Sequence, residues 1–179
     1  MTDYIETTGG VLMPDNGIRV GGRFLVEHFR GDRLLDAFET PNLVVDEGLN
    51  ALLNIMFHGS TQITTWYLGL FEGNYTPVAG VTASTIAANA TECTAYTNAT
   101  RPAYDEAAAA SKSITNSASR ASFVFNATKT IYGAFLISDN TKGGTTGTLF
   151  SAARFSAAKS VVTDDELLLT YTFNASSVS

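Results

Sequence analysis

The sequence predicts a mainly β protein: an antiparallel β-sandwich, jelly-roll-like, with one short α-helix and an irregular N-terminal arm. Three observations lead there. About eight short apolar or alternating segments are separated by turn residues, a single segment keeps helical spacing, and the first 18 residues are rich in turn formers. The chain of 179 residues and 19.0 kDa divides into the arm, residues 1–18, and one domain, residues 19–179. A domain of this length buries roughly 70% of its unfolded surface, so it needs neither a disulfide nor a metal to hold its core.

In the arm, Thr7-Thr8-Gly9-Gly10 and Pro14-Asp15-Asn16-Gly17 are turn material. Arms of this kind tie a subunit to its neighbour or fray. Residues 23–40 predict a β-hairpin: Arg23 to Phe29 runs in, Gly31-Asp32 turns, and Arg33 to Glu39 runs out. The two-residue period puts Phe24, Val26 and His28 on one face. The tripeptide Arg30-Gly31-Asp32 matches an integrin motif, but a Gly-Asp turn accounts for it. Leu43-Val44-Val45 is a short strand. Residues 46–58 predict the helix, with Asp46 as N-cap, Leu49, Leu52, Leu53 and Met56 at helical spacing, and Gly59 as the stop. Asn50 and Asn54 lie on its other side.

Residues 64–72 form a strand with Trp66, Leu68 and Leu70 on one face and Tyr67 and Phe71 on the other. Both faces are apolar, so the strand is central in the sandwich or covered by a partner. From Gly73 to Asn98 the pattern allows a loop, a turn of helix near Thr85–Ala90 and a short strand near Cys93–Thr97. Asp105 to Ser113 reads as a short helix or a flexible segment. Further strands fall at Ser122–Phe125, Thr130–Ser138, Thr148–Phe155, Ser160–Val162 and Glu166–Phe173, with turns at Asp139–Gly144 and Thr163–Asp165. Trp66-Tyr67-Leu68-Gly69-Leu70-Phe71 loosely echoes Ile131-Tyr132-Gly133-Ala134-Phe135-Leu136, too briefly to be a repeat.

Charge is scarce and uneven. Charged residues make up 16% of the chain, against a usual value of about 25%. Residues 1–47 hold nine acids and four bases, yet Gly48 to Thr100 holds only Glu72 and Glu92. Soluble monomers normally carry charge on their surface. So uncharged a stretch reads either as surface covered by something else or as a long neutral polar loop. The net charge of −6 argues against a nucleic-acid partner. No apolar run reaches the ~18 residues of a membrane span. Met1-Thr2-Asp3-Tyr4 has neither a basic nor an apolar leader pattern, so no secretory signal is expected. Without that route the five N-x-S/T triplets, at Asn74, Asn89, Asn98, Asn126 and Asn174, reflect Thr and Asn richness alone.

No catalytic, cofactor or metal site is expected. One cysteine, Cys93, excludes an internal disulfide framework and has no basic neighbour to activate it. His28 is mid-strand, His58 ends the helix, and there is no nucleophile elbow, phosphate loop or dinucleotide fingerprint. The acids Asp164-Asp165-Glu166, Asp46-Glu47 and Asp105-Glu106 are adjacent. Neighbours on a strand point to opposite faces, so they do not supply the paired geometry of a glycosidase, and they lack calcium-loop spacing. They read as turn and helix-end residues. Trp66, Tyr67, Tyr75, Tyr96, Tyr104 and Tyr132 offer a sugar-binding platform or, more simply, core and interface aromatics.

Three segments in order carry a likeness: Arg23-Phe24-Leu25-Val26-Glu27-His28, then Pro41-Asn42-Leu43-Val44-Val45-Asp46-Glu47-Gly48-Leu49-Asn50-Ala51-Leu52-Leu53, then Trp66-Tyr67-Leu68-Gly69-Leu70-Phe71. Later come Thr130 to Leu136, Gly147 to Ala152, and Asp165-Glu166-Leu167-Leu168-Leu169-Thr170-Tyr171-Thr172. Over residues 20–175 the chain resembles small virion structural proteins of tailed bacteriophages. Their closing strand usually follows a Gly-Asp turn, where this chain has Asp164-Asp165. The resemblance implies a non-enzymatic capsid decoration (cement) protein. It would bind the major capsid protein on the outer capsid surface of the virion and associate with itself as a dimer or trimer, with no nucleic acid and no membrane as partner. It would be made in the bacterial host cytoplasm. A tail- or fibre-associated adaptor is the alternative, and a carbohydrate-binding module a more distant one.

Overall fold

The computed structural model describes Tyr4–Glu6, Leu12–Pro14 and residues 17–178. The turn segments expected at Thr7–Gly10 and at Asp15-Asn16 lie outside the described residues. Within the arm, β1 (Tyr4–Glu6) and β2 (Leu12–Pro14) pair antiparallel, with Ile5 opposite Met13, so the arm is not irregular throughout.

Two antiparallel sheets make the sandwich. One runs in the order β5 (Leu43–Val44), β11 (Leu149–Val161), β10 (Lys129–Ile137), β6 (Tyr67–Phe71), β7 (Glu92–Cys93). The other runs β4 (Arg33–Pro41), β3 (Gly17–Arg30), β12 (Asp165–Val178). Both β8 (Ser113–Thr115) and β9 (Ala121–Val124) pair along the free side of β12. The core lies between the sheets. Phe24, Val26, Phe123, Leu167, Leu169 and Tyr171 from one sheet meet Leu68, Leu70, Ile131, Ala134, Ala153 and Phe155 from the other. Edge-to-face aromatic pairs such as Tyr96–Phe123 and Phe38–Phe155 lock it.

The expected hairpin forms as read. Gly31 turns at φ +55°, and Phe24, Val26 and His28 share the buried face. Its strands run longer than expected because β3 pairs with β12 from Arg30↔Asp165 to Gly17↔Val178. β4 ends opposite Arg23 and β8 opposite Asn174, so the outer pairs, from Val20↔Ala175 onward, form a two-stranded ribbon past both neighbours.

Among the described residues there are two helices rather than one. The second, α2 (Ala83–Asn89), realises the turn of helix expected near Thr85–Ala90. It packs Ala83 and Ile86 on Phe71, Phe135, Ile137, Leu149 and Ala152, the outer face of the β6–β10–β11 sheet. The two-sided apolar strands therefore need no partner: one face meets the other sheet, and the second is covered by α2 and its flanking loop. Residues 105–112 form no helix, and the strand β8 follows where none was expected. The segments expected as separate strands at Thr148–Phe155 and Ser160–Val162 are one strand, β11. A wide bulge between the pairs Gly133↔Arg154 and Ile131↔Lys159 breaks its alternation.

The echo between the two strand sequences has a physical meaning. β6 and β10 are neighbours, and their G-x-F triplets pair reciprocally, Gly69 with Phe135 and Gly133 with Phe71. Each ring lies over the other strand's glycine. A Cβ on Gly69 would sit 2.2 Å from Phe135 Cζ, and one on Gly133 2.0 Å from Phe71 Cζ. No side chain fits beneath either ring.

The first helix, α1 (Asp46–Phe57), starts one residue earlier than expected. Val45 is the N-cap and Asp46 is already helical. Two contacts set this start: Asp46 N–H donates to Ala79 O, and Glu47 accepts from Ala83 N (2.8 Å) and Leu149 N (2.7 Å). Gly48 is the one buried residue of α1 and lies against β11, where a Cβ would meet Phe150 O at 2.3 Å. Gly59 ends the helix at φ +71°.

Candidate interaction surface

Residues that bear reactive chemistry are used to hold the fold. Asp165 closes the β11–β12 turn. It is fully buried, accepts from Arg30 Nε (2.7 Å) and Nη2 (3.0 Å) and from Val162 N (2.9 Å), and faces His28 Nε2 at 3.0 Å. The Arg30 hydrogen bonds, more than the Val162 and His28 contacts, hold its carboxyl far below the usual range. Arg30 of the Arg30-Gly31-Asp32 turn is thus engaged with Asp165. Asp164 is exposed with φ +67°, and Glu166 accepts from the Ser122 hydroxyl. His58 is the exposed C-cap of α1. Cys93 is buried beside β6, and burial pushes its thiol up. Tyr96 and Tyr104 are buried, with their phenols raised by desolvation, and form no exposed platform with Tyr75. Among the described residues no cluster of His, Cys, Asp and Glu is disposed to hold a metal. Nor, among these residues, is any helix long and apolar enough to cross a membrane.

Asp165 gives a pH prediction. Its folded-state affinity for a proton is below that of the unfolded chain, whose carboxyl titrates near about 3.9. Its stabilisation is therefore present above about pH 4 and is lost as pH falls below that. Asp165→Asn is expected to cost about 2 kcal/mol at neutral pH and to flatten the loss of stability on acidification. Urea midpoints of both proteins between about pH 7 and pH 3 check this.

The charge-poor stretch is poorer at the surface than its sequence. Glu92 is buried in a bidentate pair with Arg101 (2.7 and 2.8 Å), and half-buried Glu72 pairs with Lys129 at 2.9 Å. The surface from Gly48 to Thr100 thus presents no unpaired acid or base. α1 lies on this surface. The helix rests on the sandwich through buried Gly48, with Leu49, Ala51, Leu52 and Ile55 half-buried around it. Leu53 is 54%, Met56 64% and Phe57 81% exposed. On its half-buried side, Ala51, Leu52 and Ile55 of α1 line a groove of about 250 Å³ with the Gln62–Trp66 segment, Phe150 and Phe173. It is smaller than the ~300–1,000 Å³ of small-molecule sites. It has room for a side chain or two.

The signal for this face was in the sequence. Leu49, Leu52, Leu53, Ile55, Met56 and Phe57 cover more of the helix circumference than one core-facing stripe. No protein-family model matches the chain, and no curated protein does either.

Proposed function

We propose that this chain is a non-enzymatic structural protein of a tailed-bacteriophage virion, a decoration protein that binds the major capsid protein on the outside of the shell and stabilises it. The observation that carries the reading is the uncharged surface between Gly48 and Thr100, with the open apolar helix α1 on it. A protein that works alone in water keeps charge there. This arrangement suits a subunit that is covered when it works, and exposed apolar patches of this kind mark contact sites. The polar chemistry of the fold supports the same reading, because the Asp165 and Glu92 clusters are spent on turns. The net charge of −6 suits the outer side of a DNA-filled shell, where the protein does not meet nucleic acid.

The ribbon from Val20↔Ala175 outward, with the arm that precedes it, supplies a reach toward a neighbouring capsomer. Two-stranded ribbons are marginal in water and gain from a third element along their edge. Removing residues 1–16 is expected to weaken binding to shells stripped of this protein about tenfold or more, with the thermal unfolding of the domain unchanged. Cosedimentation with stripped shells measures it. Undiminished binding would remove the arm from the attachment mechanism, and absence of binding by the full chain would refute the decoration role.

A further inference from the structure

We propose that the free edge of β3 in the ribbon receives an extended segment of the capsid protein as an added strand, with a carboxylate of that segment seated between Arg19 and Arg23. The proposal rests on the decoration reading and names the contact by which the ribbon attaches.

The edge is open to a strand. β4 reaches only as far as Pro41, opposite Arg23, and Asn42 N–H then donates to Gly22 O. In an antiparallel ladder the N–H and C=O of one residue point to the same side, and the side alternates along the strand. Gly22 points toward β4, so Val20 and Ile18 point the same way. Among the described residues no strand pairs with them there. β12 holds the other side as far as Gly17↔Val178, so the edge is already extended before a partner arrives. Ile18 is 77% exposed and offers the incoming strand an apolar contact.

The side chains select an acid. Arg19, Gly21 and Arg23 share one face of β3, opposite Ser176, Asn174 and Thr172 of β12. Arg19, Arg23, Asn174 and Ser176 wall a shallow cup of about 400 Å³, with Gly21 in its floor. Nothing lies within 4 Å of where a Gly21 Cβ would stand. A side chain opposite Gly21 on an added strand therefore enters open space with an arginine on each diagonal, about 7–8 Å away and within reach of long side chains. Arg19 makes no salt bridge among the described residues, and Arg23 makes one with Glu39, half-exposed, through Nε at 3.2 Å. An exposed pair of that kind contributes little and yields to a ligand. Two arginines facing one gap stand out in a chain of net charge −6, and they complement an acidic segment.

The same features disfavour other occupants. Two-fold pairing of the Gly17–Gly21 edge with a second copy centres on Arg19 and sets guanidinium against guanidinium. Nucleic acid presents phosphates to a row of basic groups, whereas this edge exposes C=O beside each N–H and belongs to an acidic chain. A strand satisfies both kinds of backbone group while its carboxylate meets the arginines.

The test is cosedimentation of the full chain with shells stripped of this protein. Arg19→Glu is expected to weaken binding about 30-fold or more. Val20→Pro removes an outward N–H, leaves the β12 ladder intact, and is expected to weaken binding about fivefold. Arg33→Glu makes the same change of charge at an exposed position by the Gly31-Asp32 turn, the far end of the hairpin, and should bind as the unaltered chain does. The thermal unfolding of Arg19→Glu should not change, because Arg19 is exposed. Undiminished binding by Arg19→Glu or by Val20→Pro, or a loss with Arg33→Glu equal to that with Arg19→Glu, would overturn this contact and leave the decoration role. Failure of the unaltered chain to bind shells would overturn both. Binding of a DNA duplex that Arg19→Glu abolishes would assign the cup to phosphate, and self-association that Arg19→Glu abolishes would assign the edge to a second copy; either would overturn the proposal.

Discussion

Arg101→Ala is expected to destabilise the fold by about 3–5 kcal/mol, the cost of leaving a buried charge without its partner. Arg101 is 1% exposed. Its Nε and Nη2 donate to the two oxygens of Glu92, at 2.8 and 2.7 Å. Nη1 donates to Asp139 O at 2.8 Å and Nη2 to Gly144 O at 3.1 Å, so the same fork also ties down the Asp139–Gly144 turn. Glu92 completes the tie by accepting from Gly143 N at 2.9 Å. Removing the guanidinium leaves the Glu92 carboxylate inside the protein and frees two carbonyls. Arg101→Lys should recover little, because a point charge cannot make the bidentate pair. Replacing both partners, Arg101→Met with Glu92→Leu, should recover much of the loss, because no charge then remains buried. Denaturant midpoints of the four proteins check this. A single variant as stable as the wild type would show that the pair is not what holds the turn.

Gly133→Ala is expected to cost about 3 kcal/mol, the upper part of the range for forcing an atom into a packed core. The new Cβ would sit 2.0 Å from Phe71 Cζ and 2.2 Å from Ala153 O. The ring can tilt, but the carbonyl belongs to the β10–β11 ladder and cannot withdraw without breaking it. The three atoms nearest a Cβ on Gly69 all belong to the Phe135 ring, which can tilt, so Gly69→Ala should cost less. Phe71→Leu combined with Gly133→Ala should relieve the ring contact and not the carbonyl contact, returning only part of the stability. Equal stability of Gly133→Ala and wild type by urea unfolding would contradict the reciprocal packing.

The parts of the fold legible in the sequence were those with a short local signal. The Gly31-Asp32 hairpin, the alternation of Phe24, Val26 and His28, and the Asp139–Gly144 turn are set by neighbours in the chain, and they form as read. The outer cover of the β6–β10–β11 sheet was not legible. α2 is only seven residues long, and its place depends on Glu47, 36 residues earlier, accepting from Ala83 N. The single strand β11 was divided because its bulge interrupts the alternation that reveals a strand. The G-x-F echo was visible, but its sense needed the register Gly133↔Phe71 and Phe135↔Gly69. At the interaction surface, the scarcity of charge could be counted from the sequence. The inward turn of Glu92 could not, because its partner Arg101 lies in the next charged stretch. Leucines at helical spacing say that α1 is apolar around much of its circumference, and the packing of Gly48 on Phe150 fixes which of them, Leu53, Met56 and Phe57, stand in solvent.

Copy number in purified virions, measured by quantitative mass spectrometry against the major capsid protein, tests the proposed function most directly. A shell-wide decoration protein follows the symmetry of the shell, which predicts about one-third to one copy per major capsid subunit. A handful of copies per particle would place the chain at the tail, portal or fibre and contradict the decoration role.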